Sequence, residues 1–190
     1  RIARLLAGAV KRLRPEAFII FGGIHPTIAP EETILEESVD AICLGEGEES
    51  MTELLAALEA GRDPAGLPGL WIKSRGRISR NPIRPLLQDI DRLPFPDRAA
   101  LPSERLQAEL YGVNLLSSRG CPFPCAYCQN EFLMALYRGR GAFVRYRSLD
   151  NLFAEIDEII RRYRPSRLSF SDESFTLNAR RLEEFCREYP

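Results

Sequence analysis

Short apolar runs that alternate with amphipathic segments are the feature that most constrains how this chain can fold. The first half has two such runs, AFIIF (17–21) and VDAICLG (39–45). Each is followed by a segment with helical spacing of its apolar residues, PEETILEE (30–37) and EESMTELLAALEA (48–60). A continuous apolar run is typical of a strand that is buried on both faces, as in a parallel sheet. The alternation therefore predicts an α/β fold.

The same alternation recurs in the second half of the chain. VNLLSS (113–118) and RLSFS (167–171) are predicted strands, and NARRLEEFCREY (178–189) is a predicted helix. The helix between the two strands has one apolar face, and Ser148 or Asp150 is expected to cap its amino end. This order is a βαβ pattern, which opens either a barrel or an open sheet.

A proline-rich segment separates the two halves. Proline lacks a backbone N–H, so this segment cannot continue long as helix or sheet. We therefore predict an α/β domain in 1–80, a linker in 81–110 and a second α/β domain in 111–190. GLWIKSRGRIS (69–79), just before the linker, predicts a hairpin around Arg75-Gly76. Because the chain begins with Arg and stops directly after a helix, we expect a fragment of a longer protein.

Composition argues against several classes of partner. The formal net charge is −1, with 26 basic and 27 acidic residues, so electrostatics favours neither nucleic acid nor an anionic membrane. No apolar segment is long enough to span a bilayer, and the amino end is an amphipathic helix rather than a signal peptide. We therefore expect a cytoplasmic protein with no nucleic-acid partner and no membrane span.

The chain contains five cysteines. In a reducing compartment, cysteines indicate metal or redox chemistry before disulfides. Cys43, in a predicted strand, and Cys186, in a predicted helix, are interpreted as residues buried for packing. The other three cysteines lie together in one loop.

The loop RGCPFPCAYCQN (119–130) contains Cys121, Cys125 and Cys128, in the order C-x-x-x-C-x-x-C. Disulfides between them would close small, strained rings. Structural zinc takes four ligands, whereas the loop supplies three and the only histidine, His25, lies far upstream. A 4Fe–4S cluster suits the three thiolates best and would keep one iron free of protein ligands. A zinc site or a closed iron–sulfur site remains the alternative.

CPFPCAYC resembles the C-x-x-x-C-x-aromatic-C signature of radical S-adenosylmethionine (SAM) enzymes, with Tyr127 as the aromatic residue. The resemblance implies that Cys121, Cys125 and Cys128 hold a 4Fe–4S cluster whose open iron binds the amino and carboxylate groups of SAM. Tyr127 would lie near the adenine. It further implies that the reduced cluster cleaves SAM to a 5′-deoxyadenosyl radical. Flavodoxin or ferredoxin would donate the electron, and the radical would attack a small-molecule substrate.

FSDESF (170–175) stands where this family often has a GGE-like motif that contacts the SAM amino group. A carboxylate at a strand's carboxyl end can pair with an ammonium, so Asp172 and Glu173 are candidate SAM-binding residues. The alternative is that they cap the turn into the next helix. Arg145 and Arg147, before the first barrel helix, are expected to lie at the surface rather than to contact SAM.

The amino-terminal half resembles the cobalamin-binding domain that precedes the barrel in a large subgroup of these enzymes. FGGIHPT (21–27), GEGEES (45–50), the hairpin and LPFPDR (93–98) support this resemblance. The implied fold class is α/β: a partial Rossmann-like cobalamin-binding domain followed by the first strands of a radical SAM partial (β/α)6 barrel. The residues expected to face cobalamin are Gly22, Gly23, His25, Gly45, Glu46 and Gly47.

Two details qualify that resemblance. The D-x-H-x-x-G motif, whose histidine ligates cobalt in many such domains, is absent, and His25 lies in a different loop, so His25 is not predicted to ligate cobalt. GEGEES also mimics a dinucleotide-binding fingerprint, but Glu46 and Glu48 would repel a pyrophosphate. NAD binding is therefore not favoured.

The resemblance implies a cobalamin-dependent radical SAM enzyme that catalyses methyl transfer, a radical rearrangement or a cyclisation. Alternatives are a non-SAM iron–sulfur or zinc-binding module, and a radical SAM protein that does not bind cobalamin. Because two barrel strands cannot enclose a radical, the fragment alone is predicted to be inactive.

Overall fold

The computed structural model describes residues 1–74, 76–100 and 111–189. The chain divides into two compact units, Arg1–Leu86 and Leu87–Pro190. The predicted division into 1–80, 81–110 and 111–190 stays a prediction, and residues 101–110 of the predicted linker lie outside the described residues.

The first unit contains helices and strands that alternate along the chain, as predicted. Its elements are α1 (Ile2–Leu13), β1 (Ile20–Phe21), α2 (Ile24–Ile28), α3 (Pro30–Leu35), β2 (Ala41–Cys43), α4 (Glu48–Glu59), β3 (Leu70–Ser74) and β4 (Arg77–Arg80). The strands form one sheet in the order β1-β2-β3-β4. β1 and β2 are parallel, whereas β2–β3 and β3–β4 are antiparallel. The predicted hairpin is confirmed, although Arg75 itself is not among the described residues.

Strand β2 forms the centre of this unit because both of its faces are buried. Ala41 and Cys43 pack on the side of Leu54 in α4, and Ile42 packs on the side of Ile34 in α3. Burial raises the pKa of the Cys43 thiol, and its predicted role as a core residue is confirmed.

Strand β1 differs from the prediction of a strand buried on both faces. Ile20 and Phe21 are only half-buried. Among the described residues, β1 pairs with β2 alone, so one of its edges stays outside the sheet.

The second unit begins with two short 3-10 helices, Ile90–Arg92 and Arg98–Ala100. The elements that follow are β5 (Val113–Leu115), β6 (Ser118–Arg119), α5 (Asn130–Leu136), β7 (Arg145–Tyr146), α6 (Leu149–Tyr163), β8 (Leu168–Phe170) and α7 (Ala179–Glu188). β5 pairs with β8 in parallel, and β6 pairs with β7 in antiparallel orientation. No helix in the described ranges is long and apolar enough to cross a membrane.

Helix α6 connects the parallel strands β5 and β8, which confirms the predicted βαβ unit. Its apolar face packs on β5, where Leu152, Ile156 and Ile159 meet Val113 and Leu115. Ser148 caps the helix, because its hydroxyl accepts a hydrogen bond from the backbone N–H of Asn151.

Cys186 is the cysteine whose predicted environment is wrong. It is exposed on α7, while its neighbour Phe185 packs against the apolar cluster of this unit. Successive helical residues point about 100° apart, so a residue beside a packed aromatic need not itself be buried.

Candidate functional site

The cysteine loop comes shortly after β5, which pairs in parallel with β8, and the carboxyl ends of these two strands lie side by side. Leu115, the last residue of β5, is in register with Phe170, the last residue of β8. The backbone N–H of Ser171 extends this pairing by donating to the Leu115 carbonyl oxygen at 2.8 Å. The segments that leave these two strands are therefore held together, and ligand sites of α/β folds form at such strand ends.

Asp172 links the two segments through its carboxylate. The Ser117 backbone N–H donates to both carboxylate oxygens at 3.1 Å, and the Ser117 hydroxyl donates to Oδ1 at 2.8 Å. The Ser118 hydroxyl also donates to Oδ1. Within the described residues, Oδ1 accepts from three donors, whereas Oδ2 accepts only from the shared Ser117 amide. Oδ2 therefore keeps lone pairs for another donor. Asp172 holds the strand that leads into the cysteine loop.

The three cysteines lie at different depths in that loop. Cys121 is buried, and Cys125 and Cys128 are half-buried. The Cys128 backbone N–H donates to the Cys125 carbonyl oxygen at 2.9 Å, so a turn brings these two residues together. Tyr127, between them, is 93% exposed, which leaves its ring accessible to a flat ligand.

The chemistry of this donor set fits a 4Fe–4S cluster. Within the described parts of the chain, no three His, Cys, Asp or Glu side chains converge as they would around a single metal ion. A 4Fe–4S cluster binds each thiolate at a different iron, so its ligands lie farther apart than those of one ion. The loop has three free cysteines, which is the number of thiolates that such a cluster would need to keep one iron open.

Glu173 lies beside Asp172 but is exposed. The structure therefore brings Asp172 close to the loop segment and turns Glu173 towards solvent. Their contacts with SAM, like that of Tyr127, stay predictions.

Arg145 and Arg147 do not lie at the surface, so that prediction is wrong. Arg145 is 6% exposed, and its Nη1 donates to the Leu87 carbonyl oxygen at 2.9 Å. Arg147 pairs with Glu155, a carboxylate only 2% exposed. Arg98 pairs with the same carboxylate at 2.6 Å. A buried carboxylate is stable only when cationic groups pair with it, and this pairing explains why the guanidinium groups of Arg98 and Arg147 lie inside the unit.

Sequence reasoning missed Glu155, although a signal was present. Glu155 follows Leu152 by three residues and precedes Ile159 by four, which places it on the apolar face of α6. An acidic residue in an apolar stripe indicates a buried ion pair, because an unpaired charge there would be too costly.

Arg181 is a second residue that sequence reasoning missed. Its guanidinium carbon lies 5.5 Å from the centroid of the Tyr146 ring. Its Nη2 atom is buried and has no hydrogen-bond partner in the described structure. Burial lowers the pKa of this guanidinium, whereas the charge of Asp172 opposes the shift. No feature of the local sequence distinguishes it from its neighbour Arg180.

The residues predicted to face cobalamin lie in the segments that follow β1 and β2, at one edge of the first sheet: Gly22, Gly23, His25, Gly45, Glu46 and Gly47. Thr27, which the sequence did not single out, links these segments. Its hydroxyl donates to the Gly23 carbonyl oxygen at 2.8 Å and accepts from the Gly45 N–H at 2.9 Å. Gly22 and His25 also line an open pocket of about 810 Å³ beside α1.

Comparison with known proteins finds one family model for part of the first unit and relatives that match nearly the whole chain. The family model for the B12 binding domain matches residues 1–55. An uncharacterized methyltransferase of Pyrococcus horikoshii is 35% identical over 94% of this chain and 38% of the relative. The anaerobic magnesium-protoporphyrin IX monomethyl ester cyclase of Rubrivivax gelatinosus is 28% identical over 94% of this chain and 32% of the relative.

Solved structures share the fold over nearly the whole chain. Two structures of TsrM, a radical S-adenosylmethionine methyltransferase from Kitasatospora setae, match with TM-scores of 0.71 and 0.69. Each match covers 97% of this chain at 20% and 22% identity, and 36% and 35% of the TsrM chain. One contains cobalamin and a [4Fe-4S] cluster, and the other contains tryptophan and a SAM analogue. The predicted fold class is confirmed, and the chain spans about a third of the length of the relatives it matches.

Proposed function

This chain is a relative of the radical SAM enzymes that carry a B12-binding domain, and from that relationship we propose that the protein is a cobalamin-dependent radical SAM enzyme. Methyl transfer to a carbon of a small molecule is the first candidate reaction. The Pyrococcus relative and TsrM, both methyltransferases by name, support it. The cyclase relative, at 28% identity, supports radical cyclisation as the second candidate.

The observation that carries the proposal is the loop with three cysteines at the end of the strand pair that Asp172 joins. Cys121, Cys125 and Cys128 would hold a 4Fe–4S cluster. When bound, such a cluster supplies the electron for reductive cleavage of SAM.

Other side chains of the second unit would bind and orient SAM. Asp172 uses Oδ1 to hold the two serines, and its Oδ2 keeps lone pairs that could accept from the SAM ammonium. The exposed ring of Tyr127 could lie against the adenine. Glu173, exposed beside Asp172, would contribute negative charge near the ammonium.

The first unit would hold cobalamin at the carboxyl edge of its parallel strands. Gly23 and Gly45 have φ values of 91° and 72°, which favour glycine and let the backbone approach a ligand closely. Thr27 keeps the two segments together. Bound cobalamin would supply the carrier for the methyl group.

The proposed chemistry also implies partners and a location. A one-electron donor such as flavodoxin or ferredoxin would reduce the cluster. An oxygen-sensitive cluster held by free thiols favours a reducing compartment, so we propose a cytoplasmic location.

Anaerobic reconstitution of the full-length protein with iron and sulfide tests this function. We expect about four irons per chain and, after reduction, an EPR signal that changes on addition of SAM. Cys121→Ser, Cys125→Ser and Cys128→Ser should each lose most of the iron, because serine is a poor ligand for these clusters.

Cys186→Ser is the matched control, because this cysteine is exposed and outside the loop. It should bind iron as the unmodified protein does. A single bound zinc, or a cluster whose EPR signal does not change when SAM is added, would indicate a binding or electron-transfer module instead.

A further inference from the structure

We propose that Arg181 binds the carboxylate group of SAM, while Asp172 faces the ammonium group of the same molecule. This inference rests on the proposed function. It adds a residue that no motif in the sequence indicated.

The position of Arg181 is held by its backbone and by a ring. Asn178, the N-cap of α7, accepts a hydrogen bond from the Arg181 N–H at 3.1 Å. The guanidinium carbon lies 5.5 Å from the centroid of the Tyr146 ring, within the range of a cation–π contact. The side chain is therefore directed inward, in contrast to that of Arg180, which is 89% exposed and pairs with Glu184.

One donor of this guanidinium has no partner. Nη2 is buried, and nothing in the described part of the chain accepts a hydrogen bond from it. The burial of this guanidinium lowers the pKa of Arg181, because water solvates the charge less than at the surface. Arginine nevertheless remains protonated in proteins, so the charge needs an acceptor.

The neighbouring carboxylates do not fill that role. Asp172 accepts from Ser117 and Ser118, and Asp91 accepts from the Ser148 N–H at 3.1 Å through each oxygen. Both acids act on Arg181 through their charges, yet neither forms a hydrogen bond with it. We therefore assign the missing acceptor to a group that a ligand would bring.

A zwitterionic amino-acid group complements this arrangement. The planar guanidinium matches the geometry of a carboxylate, and Asp172 has lone pairs on Oδ2 for an ammonium. SAM carries both groups on its methionyl end. A purely cationic ligand would supply an ammonium to Asp172 but leave the Arg181 donor unpaired.

The test is a binding cycle on the full-length, anaerobically reconstituted protein with its cluster oxidised. The dissociation constant of SAM is compared with that of decarboxylated SAM, which lacks only the carboxylate. Arg181→Gln should weaken SAM binding by about 10- to 100-fold, the scale of a lost charge-assisted hydrogen bond. The dissociation constants of decarboxylated SAM for the variant and for the unmodified protein should agree within about threefold, because this ligand has no carboxylate to contact Arg181.

Arg180→Gln is the matched control and should leave both affinities unchanged. Iron content and the circular dichroism melt show whether Arg181→Gln folds. If it does not, Arg181→Lys replaces it in the test. Lysine keeps the positive charge but lacks the planar guanidinium, so a smaller loss of SAM affinity is expected. The inference is overturned, while the proposed function stands, if the unmodified protein binds SAM and Arg181→Gln weakens the binding of SAM and of decarboxylated SAM equally. The same holds if Arg181→Gln changes the binding of neither ligand. If the unmodified protein binds no SAM at all, the proposed function fails first.

Discussion

Glu155 shows at the scale of single residues how burial and charge are balanced in the second unit. It lies on the packed face of α6 and is 2% exposed. Arg98 and Arg147 both bind its carboxylate, and Arg147 also donates to Asn151 Oδ1 at 2.7 Å. The three charges are stable inside the unit only as a set, because each would be unpaired without the others.

Replacement of Glu155 tests this ion-pair set. Glu155→Gln keeps the shape of the side chain but removes the charge that two guanidinium groups require. We expect the free energy of unfolding to fall by about 3 kcal/mol, the usual cost of leaving a buried charge without its partner. Denaturant unfolding monitored by circular dichroism measures the change.

Glu158→Gln is the control on the same helix. The Glu158 side chain is 45% exposed and pairs with Arg162 at 3.5 Å, so its loss should change stability by less than about 0.5 kcal/mol. Equal effects of the two substitutions would contradict the importance of the buried pair.

The partners of these residues explain which side chains could be predicted from sequence. Cys43 was predictable because its neighbours in an apolar strand determine its burial. Arg147 was not, since its burial depends on Glu155, and the second partner of that carboxylate, Arg98, is 57 residues away from it in sequence. Contacts between distant segments follow from the fold and leave no periodic signal in the chain.

At the scale of elements, periodicity predicted the long helices and the central strands, but not the short elements around the cysteine loop. α6 and α4 have apolar faces that repeat over several turns. β6, α5 and β7 were missed because two to seven residues give no clear period. β6 and β7 pair through Ser118–Tyr146 and Arg119–Arg145, and so connect the cysteine loop to the start of α6.

Gly120 is the point at which this short pairing passes into the cysteine loop. Its φ is 87°, and a Cβ there would overlap the carbonyl oxygen of Phe143. Gly120→Ala should separate β6 from β7, lower the free energy of unfolding by about 3 kcal/mol and reduce the iron content of the reconstituted protein. Denaturant unfolding and iron analysis measure both effects.

Gly139→Ala isolates the steric part of that effect. Gly139 has a φ of 75°, yet nothing lies within 4 Å of its Cβ position. Alanine there should cost only the backbone strain, about 1 kcal/mol, and leave iron binding intact. A Gly120→Ala variant that matches Gly139→Ala in both measurements would refute the role of the close approach.

At the scale of the whole molecule, each unit contains one pair of parallel strands with candidate ligand residues at their carboxyl ends. The alternation of strands and helices predicted this organisation, because it depends only on apolar patterns. The identity of a substrate does not follow from it, since the chain spans about a third of the length of its relatives. Residues that enclose a substrate come from many segments of a barrel, whereas the described residues of the second unit contribute one parallel pair.

This limited enclosure leads to a prediction for the chain of 190 residues on its own. Productive radical chemistry requires a site that excludes water, and one parallel pair of strands cannot surround a nucleoside. We expect the isolated chain, reconstituted with iron and sulfide and reduced in the presence of SAM, to release no 5′-deoxyadenosine detectable by chromatography. The full-length protein treated in the same way is the positive control and should release it. SAM-dependent release by the isolated chain at a comparable rate would mean that the two strands and the cysteine loop already form a sufficient site.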